Sequence, residues 1–277
     1  MLIAVGSIKG SPGATTLALA LAAVWPGQQA VVVEADCAGG DLGGWCWLPD
    51  RPGLASLATK ARTGTVSLTD HARRLPCGLD AVLAPAGRQA ATVAVGLLAE
   101  AATTVWAEQR PTILDVGRLE PGSHTAALID AADALLILTS GDEASLLRLA
   151  EANLSRGSVV LVGHSDYPAS EITAAVGLPV TAELPWDARA VRVLRGGRAP
   201  GSAWTRRGLP AAVRALTRYL VPDSPDMRPT RRHPRAIPAA ALRPAAIEPT
   251  ATQGAPGGAG TASPGLDGWH PAGRGVR

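Results

Sequence analysis

The chain contains no phenylalanine, only two tyrosines and two methionines, and three cysteines. Cys37, Cys46 and Cys77 form an odd set without C-x-x-C spacing. That is too few for a disulfide framework or a cysteine zinc site, and they read as free thiols in a reducing compartment. No apolar run approaches the roughly 20 residues that span a bilayer; the longest, Leu17–Trp25, has nine. No basic segment precedes an apolar one at the start of the chain, so no secretory signal is expected. The expectation is a cytoplasmic protein without a transmembrane segment. His71, His124 and His164 lack ligand-like spacing, which argues against a histidine metal cluster. Lysine is scarcer than cysteine: Lys9 and Lys60 stand against 24 arginines, so a lysine in a mechanistic position is conspicuous.

What is present is enough apolar material for a sizeable core. Of 277 residues, 47% are hydrophobic, which excludes a wholly disordered or collagen-like chain. The net charge of +3 resides in residues 222–277, which carry seven arginines against four acids together with 10 of the 23 prolines. That segment shows no apolar periodicity and cannot bury enough surface to offset the entropy of ordering. The sequence therefore divides into a folded body, 1–221, and a disordered tail, 222–277. No internal repeat is visible.

Within the body, apolar strand-like runs alternate with helical stretches. Strands are expected at 2–8, 30–36, 111–116, 134–139, 158–162 and 180–184, and helices near 15–25, 89–108, 142–155 and 202–220. This alternation predicts right-handed βαβ units and an α/β fold with a mainly parallel sheet covered on both faces. In such a fold the strand ends share one edge, where ligands bind.

The first strand-to-helix turn reads Lys9-Gly10-Ser11-Pro12-Gly13-Ala14-Thr15-Thr16. A small-residue turn opening a helix offers backbone N–H groups and a positive dipole end to an anion. Thr15 and Thr16 stand where a hydroxyl can reach a phosphate-bound Mg²⁺. Against the standard phosphate loop G-x-x-x-x-G-K-[ST], Ile8 replaces the first glycine and Ala14 the lysine. The alternative is a glycine-containing turn with no ligand. Glu34 and Asp36 close the second strand two residues apart, a spacing that places both on one face. Asp115 ends the apolar run Thr112-Ile113-Leu114, the form of a strand whose acid holds Mg²⁺ through water. Each acid alone is also compatible with a helix cap or a solvated loop.

Taken in order along residues 2–220, these landmarks resemble the MinD/ParA family, whose deviant phosphate loop reads K-G-G-x-G-K-[ST]. The resemblance implies a P-loop NTPase, a three-layer αβα sandwich binding ATP and Mg²⁺. Lys9 matches the signature lysine, which reaches across a nucleotide-sandwich homodimer to the partner's phosphates. Gly10 and Gly13 match two glycines and Thr15 the Mg²⁺ hydroxyl, so that Lys9 to Thr16 form the cofactor loop; Ser11 departs mildly and Ala14 seriously. Asp36 matches the acid that orients the attacking water and Glu34 its upstream partner, while Asp115 holds the metal with Thr15 and Asp36. Lys9 and Asp36 are thus the implied catalytic pair. The segment Gly177–Asp187 resembles the late strand and the Pro-x-Asp turn beside the base, which assigns Pro185 and Asp187 to the nucleotide. Gly163-His164-Ser165 stands where many relatives place an asparagine or arginine.

In this family the product is position: the ATP-bound dimer localises a machine and hydrolysis resets it. Ala14, the segment Gly78–Pro85 and a Pro-rich tail that cannot form a membrane-binding amphipathic helix look most like the branch that positions Tad-type pilus or secretion assemblies. Two alternatives remain. Between Arg189 and Arg218 there are eight arginines and no acid, with Arg189, Arg192 and Arg195 at helical spacing. Such a stripe suits DNA backbone in a partitioning ATPase, or is an ordinary solvated helix face. The other alternative is a scaffold whose degenerate loop no longer turns over nucleotide. Trp45 and Trp47 read as packing or partner contacts. Gly163–Tyr167 superficially resembles a nucleophile elbow but lacks the closing glycine.

Overall fold

The computed structural model describes residues 1–9, 13–64, 66–101, 110–120, 122–201 and 203–221. Gly10, Ser11, Pro12 and the 222–277 tail therefore lie outside the described residues, and all statements below concern the described ones.

Eight strands form one sheet in the order β3-β4-β2-β5-β1-β6-β7-β8. These are β1 Leu2–Ser7, β2 Val31–Glu34, β3 Arg73–Arg74, β4 Asp80–Val82, β5 Thr112–Arg118, β6 Ala134–Gly141, β7 Ser158–Ser165 and β8 Val180–Leu184. Every pairing is parallel except that of the edge strand β3 with β4. Helices cover both faces, so successive strand residues bury in opposite directions. Leu2 and Ala4 of β1 join one core while Ile3 and Val5 join the other, and Val31 and Val33 of β2 oppose Val32 in the same way. A strand buried on both faces needs no polar alternation, which is why these segments read as unbroken apolar runs.

The helices are α1 Ala14–Val24, α2 Leu42–Cys46, α3 Leu54–Ala61, α4 Leu68–His71, α5 Arg88–Glu100, α6 Ala126–Asp130, α7 Glu143–Glu151, α8 Ala169–Val176, α9 Ala188–Leu194 and α10 Gly208–Leu220. Helix α1 is apolar all round because it is enclosed, lying on the sheet under α9 and α10; Leu17 to Ala22 are all buried. Its alternate alanines let the sheet and the outer helices approach closely. On the opposite face α3, α5, α6, α7 and α8 supply Leu57, Leu98, Leu128, Leu149 and Ile172 to the second core.

The fold class and every expected strand are present, with revised limits. The second strand stops at Glu34, two residues before Asp36, because the chain turns away once Ala35 N–H has bonded the Asp115 carbonyl. Helix α5 ends at Glu100 rather than 108, Ala101 having left the helical conformation, and 102–109 lie outside the described residues. Helix α7 ends at Glu151, where Asn153 (φ 45°) reverses the chain into Gly157 (φ 124°). The stretch 202–220 is not one helix. A 3₁₀ turn at Trp204–Arg206 is separated from α10 by Arg207, which is extended (φ −137°, ψ 157°). No described helix is long and apolar enough to cross a membrane.

Candidate functional site

Because β1, β2 and β5 are parallel, their carboxyl ends open on one edge, and the turn into α1 lies there. Gly13 precedes α1 in the left-handed conformation (φ 98°, ψ 36°), and no side chain caps the helix. The first helical bond runs from Leu17 N–H to Gly13 C=O at 2.9 Å, so the N–H groups of Ala14, Thr15 and Thr16 are left facing outward. They open into a cavity of about 700 Å³ that also meets Ser7, Asp36 and Gly117. Among the described residues no group accepts from these N–H groups, and with the positive helix end they suit an anion.

Acidic groups face that anion site. Asp115 is 3% exposed; Gly117 N–H donates to its Oδ1 at 3.2 Å and the Thr15 hydroxyl donates to its carboxylate. Burial outweighs both donors and pushes its pKa up to about 6. Asp36 lies just beyond β2, its Oδ1 accepting from Ala38 N–H at 2.7 Å. Burial raises its pKa, with Asp41 and Glu120 adding repulsion and Arg88 opposing it. Gly117 makes the close approach possible. At φ 62° it carries no side chain, and a Cβ there would stand 2.1 Å from the Asp36 carboxyl carbon.

Glu34 does something different from Asp36, although the spacing suggested a shared face. It is 2% exposed and points beneath the loops. Its Oε1 accepts from Asp41 N–H and Leu42 N–H, both at 2.8 Å, and its Oε2 from Ala84 N–H at 3.0 Å. It therefore ties the loop after β2 to the loop after β4 and does not line the cavity. Burial drives its pKa up to about 7 against those three donors.

The cavity's outer wall comes from Trp186, Val191 and Arg195. The Arg195 guanidinium stands 3.8 Å from the centre of the Trp45 ring, joining α9 to α2 by a cation–π contact. Arg88 and Arg118 also reach the cavity, the latter 3.6 Å from Glu120. Of the residues the sequence singled out, Gly13, Ala14, Thr15, Thr16 and Asp36 line this cavity, and Asp115 stands behind Thr15. Lys9 is exposed and is not part of the wall; its charge acts on Asp142, the cap of α7. Pro185 is exposed, and the Asp187 carboxylate is fully engaged in the fold. Its Oδ1 accepts from Arg189 and Ala190 N–H, capping α9, while its Oδ2 accepts from Leu209 N–H at the start of α10. Sequence reasoning missed Ser7, Arg88, Ser123, Thr125 and Trp186 as cavity residues. Only Trp186 carried a usable signal, its place inside the Pro185–Asp187 turn.

A cavity of this volume, with free N–H groups at one end and a Thr15–Asp115–Asp36 oxygen set beside them, fits a nucleotide phosphate chain and a hard divalent cation. The eight-stranded, mainly parallel sheet with helices on both faces is a three-layer αβα sandwich. No family model matches the chain, and no curated protein matches it in sequence. In three dimensions it is similar to a ParA family ATPase from Chlorobium tepidum TLS, with 20% identity and a TM-score of 0.64 over 78% of this chain and 97% of that one. It is also similar to a chain of the MinC:MinD cell division protein complex of Aquifex aeolicus (15%, TM-score 0.60, 84% and 98%). A third likeness is to the septum site-determining protein MinD complexed with Mg-ADP from Pyrococcus horikoshii OT3 (17%, TM-score 0.57, 79% and 95%). The fold is that of the ParA/MinD ATPases.

Proposed function

We propose that this chain binds ATP·Mg²⁺ at the β1–α1 turn and acts as a nucleotide-dependent positional switch of the MinD/ParA type. The observation that carries the reading is the uncapped start of α1, whose N–H groups open into a nucleotide-sized cavity beside Thr15, Asp36 and Asp115. In this reading the backbone from Gly10 to Thr16 cradles the phosphates. Thr15, Asp36 and Asp115 hold Mg²⁺, and the metal neutralises phosphate charge. Asp36, at the cavity wall, orients water toward the terminal phosphate. The base lies toward the Pro185–Asp187 turn. Lys9, outside its own cavity, serves the nucleotide of a partner copy in a homodimer. Ala14 leaves the phosphates without their in-chain lysine, and hydrolysis is correspondingly weak or absent; that role is left open to Arg118, which reaches the cavity. The cargo proposed is a Tad-like pilus or secretion assembly, reached from a cytoplasmic position through partners. That proposal rests on Ala14, the Gly78–Pro85 resemblance and the Pro-rich tail, and neighbouring genes for a pilus ATPase would support it.

A second reading, a partitioning ATPase that binds DNA backbone, is favoured by one observation. None of the eight arginines from Arg189 to Arg218 forms an ion pair among the described residues, and all but Arg214 are exposed. Filter binding to random duplex across a salt series separates the two, since each arginine facing phosphate contributes about one unit of salt slope. Isothermal titration of the full chain with ATP·Mg²⁺ tests the common core of both. Micromolar or weaker binding that Thr15→Ala and Asp115→Asn abolish is expected. No heat at millimolar ATP would leave the non-catalytic scaffold.

A further inference from the structure

The outer end of the cavity is built from faces rather than edges. Trp186 is 73% exposed at its lip, and its indole lies against the backbone of Gly163. A Cβ on Gly163 would stand 2.5 Å from the Trp186 ring nitrogen, so the bare backbone at the end of β7 is what lets the ring settle there. Facing into the same space are Val191 and Arg195, the latter with its guanidinium over the Trp45 ring. The one acid in the adjoining turn, Asp187, has both carboxylate oxygens committed to N–H groups of α9 and α10. Cys37, Ala38, Gly39 and the acid Asp41 supply wall on the β2 side, and Ser123 and Thr125 line the cavity away from the Trp186 face. No side-chain amide reaches the cavity among the described residues, so no carboxamide reads a base edge from this wall.

We infer that Trp186 is a stacking platform for the nucleobase and that the site, on its platform side, accepts purine nucleoside triphosphates without distinguishing adenine from guanine. The inference rests on the nucleotide reading proposed above and deepens it. Discrimination between the two purines needs donors and acceptors held against the exocyclic group, and a site built to hydrogen-bond that group rejects the wrong one strongly. Stacking does the opposite: every base presents a π-face, so an aromatic platform adds affinity without reading the edge. Larger purine rings cover more of the indole than pyrimidines do. Asp187 would be the natural acceptor for an adenine amino group, but freeing it would strip the caps from two helices at once.

The test is equilibrium binding of ATP, GTP, CTP and inorganic tripolyphosphate to the full chain with Mg²⁺, by titration calorimetry. ATP and GTP are expected to agree within about threefold, with tripolyphosphate about tenfold weaker, the stacking contribution of one base. Trp186→Ala is expected to bring both nucleotides down to the tripolyphosphate level while leaving tripolyphosphate itself unchanged, and Trp186→Phe to retain most of the difference. Because the indole is exposed, neither variant opens the core. Preference for ATP over GTP beyond about thirtyfold would show edge recognition and overturn the inference. Equal binding of ATP and tripolyphosphate would also overturn it, leaving the phosphate cradle intact. Failure of all four ligands to bind would remove the nucleotide reading and the platform together.

Discussion

Glu34 illustrates how a single carboxyl can couple this fold to pH. In the unfolded chain it titrates near 4.5; in the fold, burial lifts it to about 7. Below pH 4.5 both states are protonated and the fold keeps its full stability. Between 4.5 and 7 the unfolded chain ionises while the fold holds its proton, so stability falls as pH rises, at about 1.4 kcal/mol per unit and on the order of 3 kcal/mol in all. Asp115, lifted from 3.8 to about 6, acts in the same direction over a lower window. Urea midpoints measured from pH 4 to 8 without nucleotide or Mg²⁺ should decline through that range, and Glu34→Gln should confine the decline to pH values below 6. A slope unchanged in that variant would assign the titration elsewhere. Gly117 makes a second claim at this scale. Gly117→Ala places a methyl against the Asp36 carboxyl at a positive φ, so a loss of about 1–3 kcal/mol is expected. Thermal melts and Mg²⁺-dependent ATP titration should both register it. Neither feature is legible in the sequence: Glu34 and Asp36 differ only in where the strand ends, and Gly117 is one of 31 glycines.

Among the elements, those with long signals were readable and those with short ones were not. All six expected strands form; most carry long apolar runs, while Val180–Leu184, interrupted by Thr181 and Glu183, is the weakest signal of the six. Helix α1 reads at once, because Leu17–Trp25 is apolar on every side. By contrast α2, α4 and α6 have four or five residues each, barely one turn, and no periodicity can accumulate over that length. The edge pair β3 and β4, two and three residues long, exists through its pairing with β2 and not through its own pattern. Helix α9 was visible only as arginine spacing, yet it is the element on which the cavity's outer wall depends. Its position follows from Asp187, which caps α9 with one oxygen and anchors α10 with the other. Asp187→Ala leaves three N–H groups without that acceptor. It should cost on the order of 1–2 kcal/mol by the usual worth of a cap, a drop of a few degrees in Tm for a body of this size. Asp187→Asn, which keeps an acceptor oxygen, should lose less. If instead Asp187→Ala leaves Tm unchanged while ATP affinity falls sharply, the carboxylate serves the nucleotide, not the helices.

The whole molecule places its groups on one edge of the sheet, but not all of them in one pocket. The outward N–H groups of α1, Thr15, Asp36 and the Trp186 wall converge on a single cavity, whereas Lys9 sits at the same edge, exposed and close enough to Asp142 for their charges to interact. A lysine that is absent from its own chain's cavity wall has little to do for the nucleotide bound there. In a symmetric pair of copies facing edge to edge, the same lysine would meet the other copy's phosphates, and a twofold axis requires each copy to supply one. This geometry leads to a separable outcome. Lys9→Ala should leave ATP·Mg²⁺ binding by the single chain within a few fold, because no contact in the cavity is lost, yet abolish nucleotide-dependent dimerisation. Ala14→Lys should act in the opposite sense: a preorganised cation restored against the phosphates is worth on the order of 3 kcal/mol in the transition state, or roughly 10²-fold in turnover. Sedimentation with ATP and with ADP, run beside a phosphate-release assay, reads both variants. Dimerisation that survives Lys9→Ala would sink the cross-dimer role. Rapid turnover by the unaltered chain would show that one of the cavity arginines, Arg88, Arg118 or Arg195, already supplies the charge that Ala14 cannot.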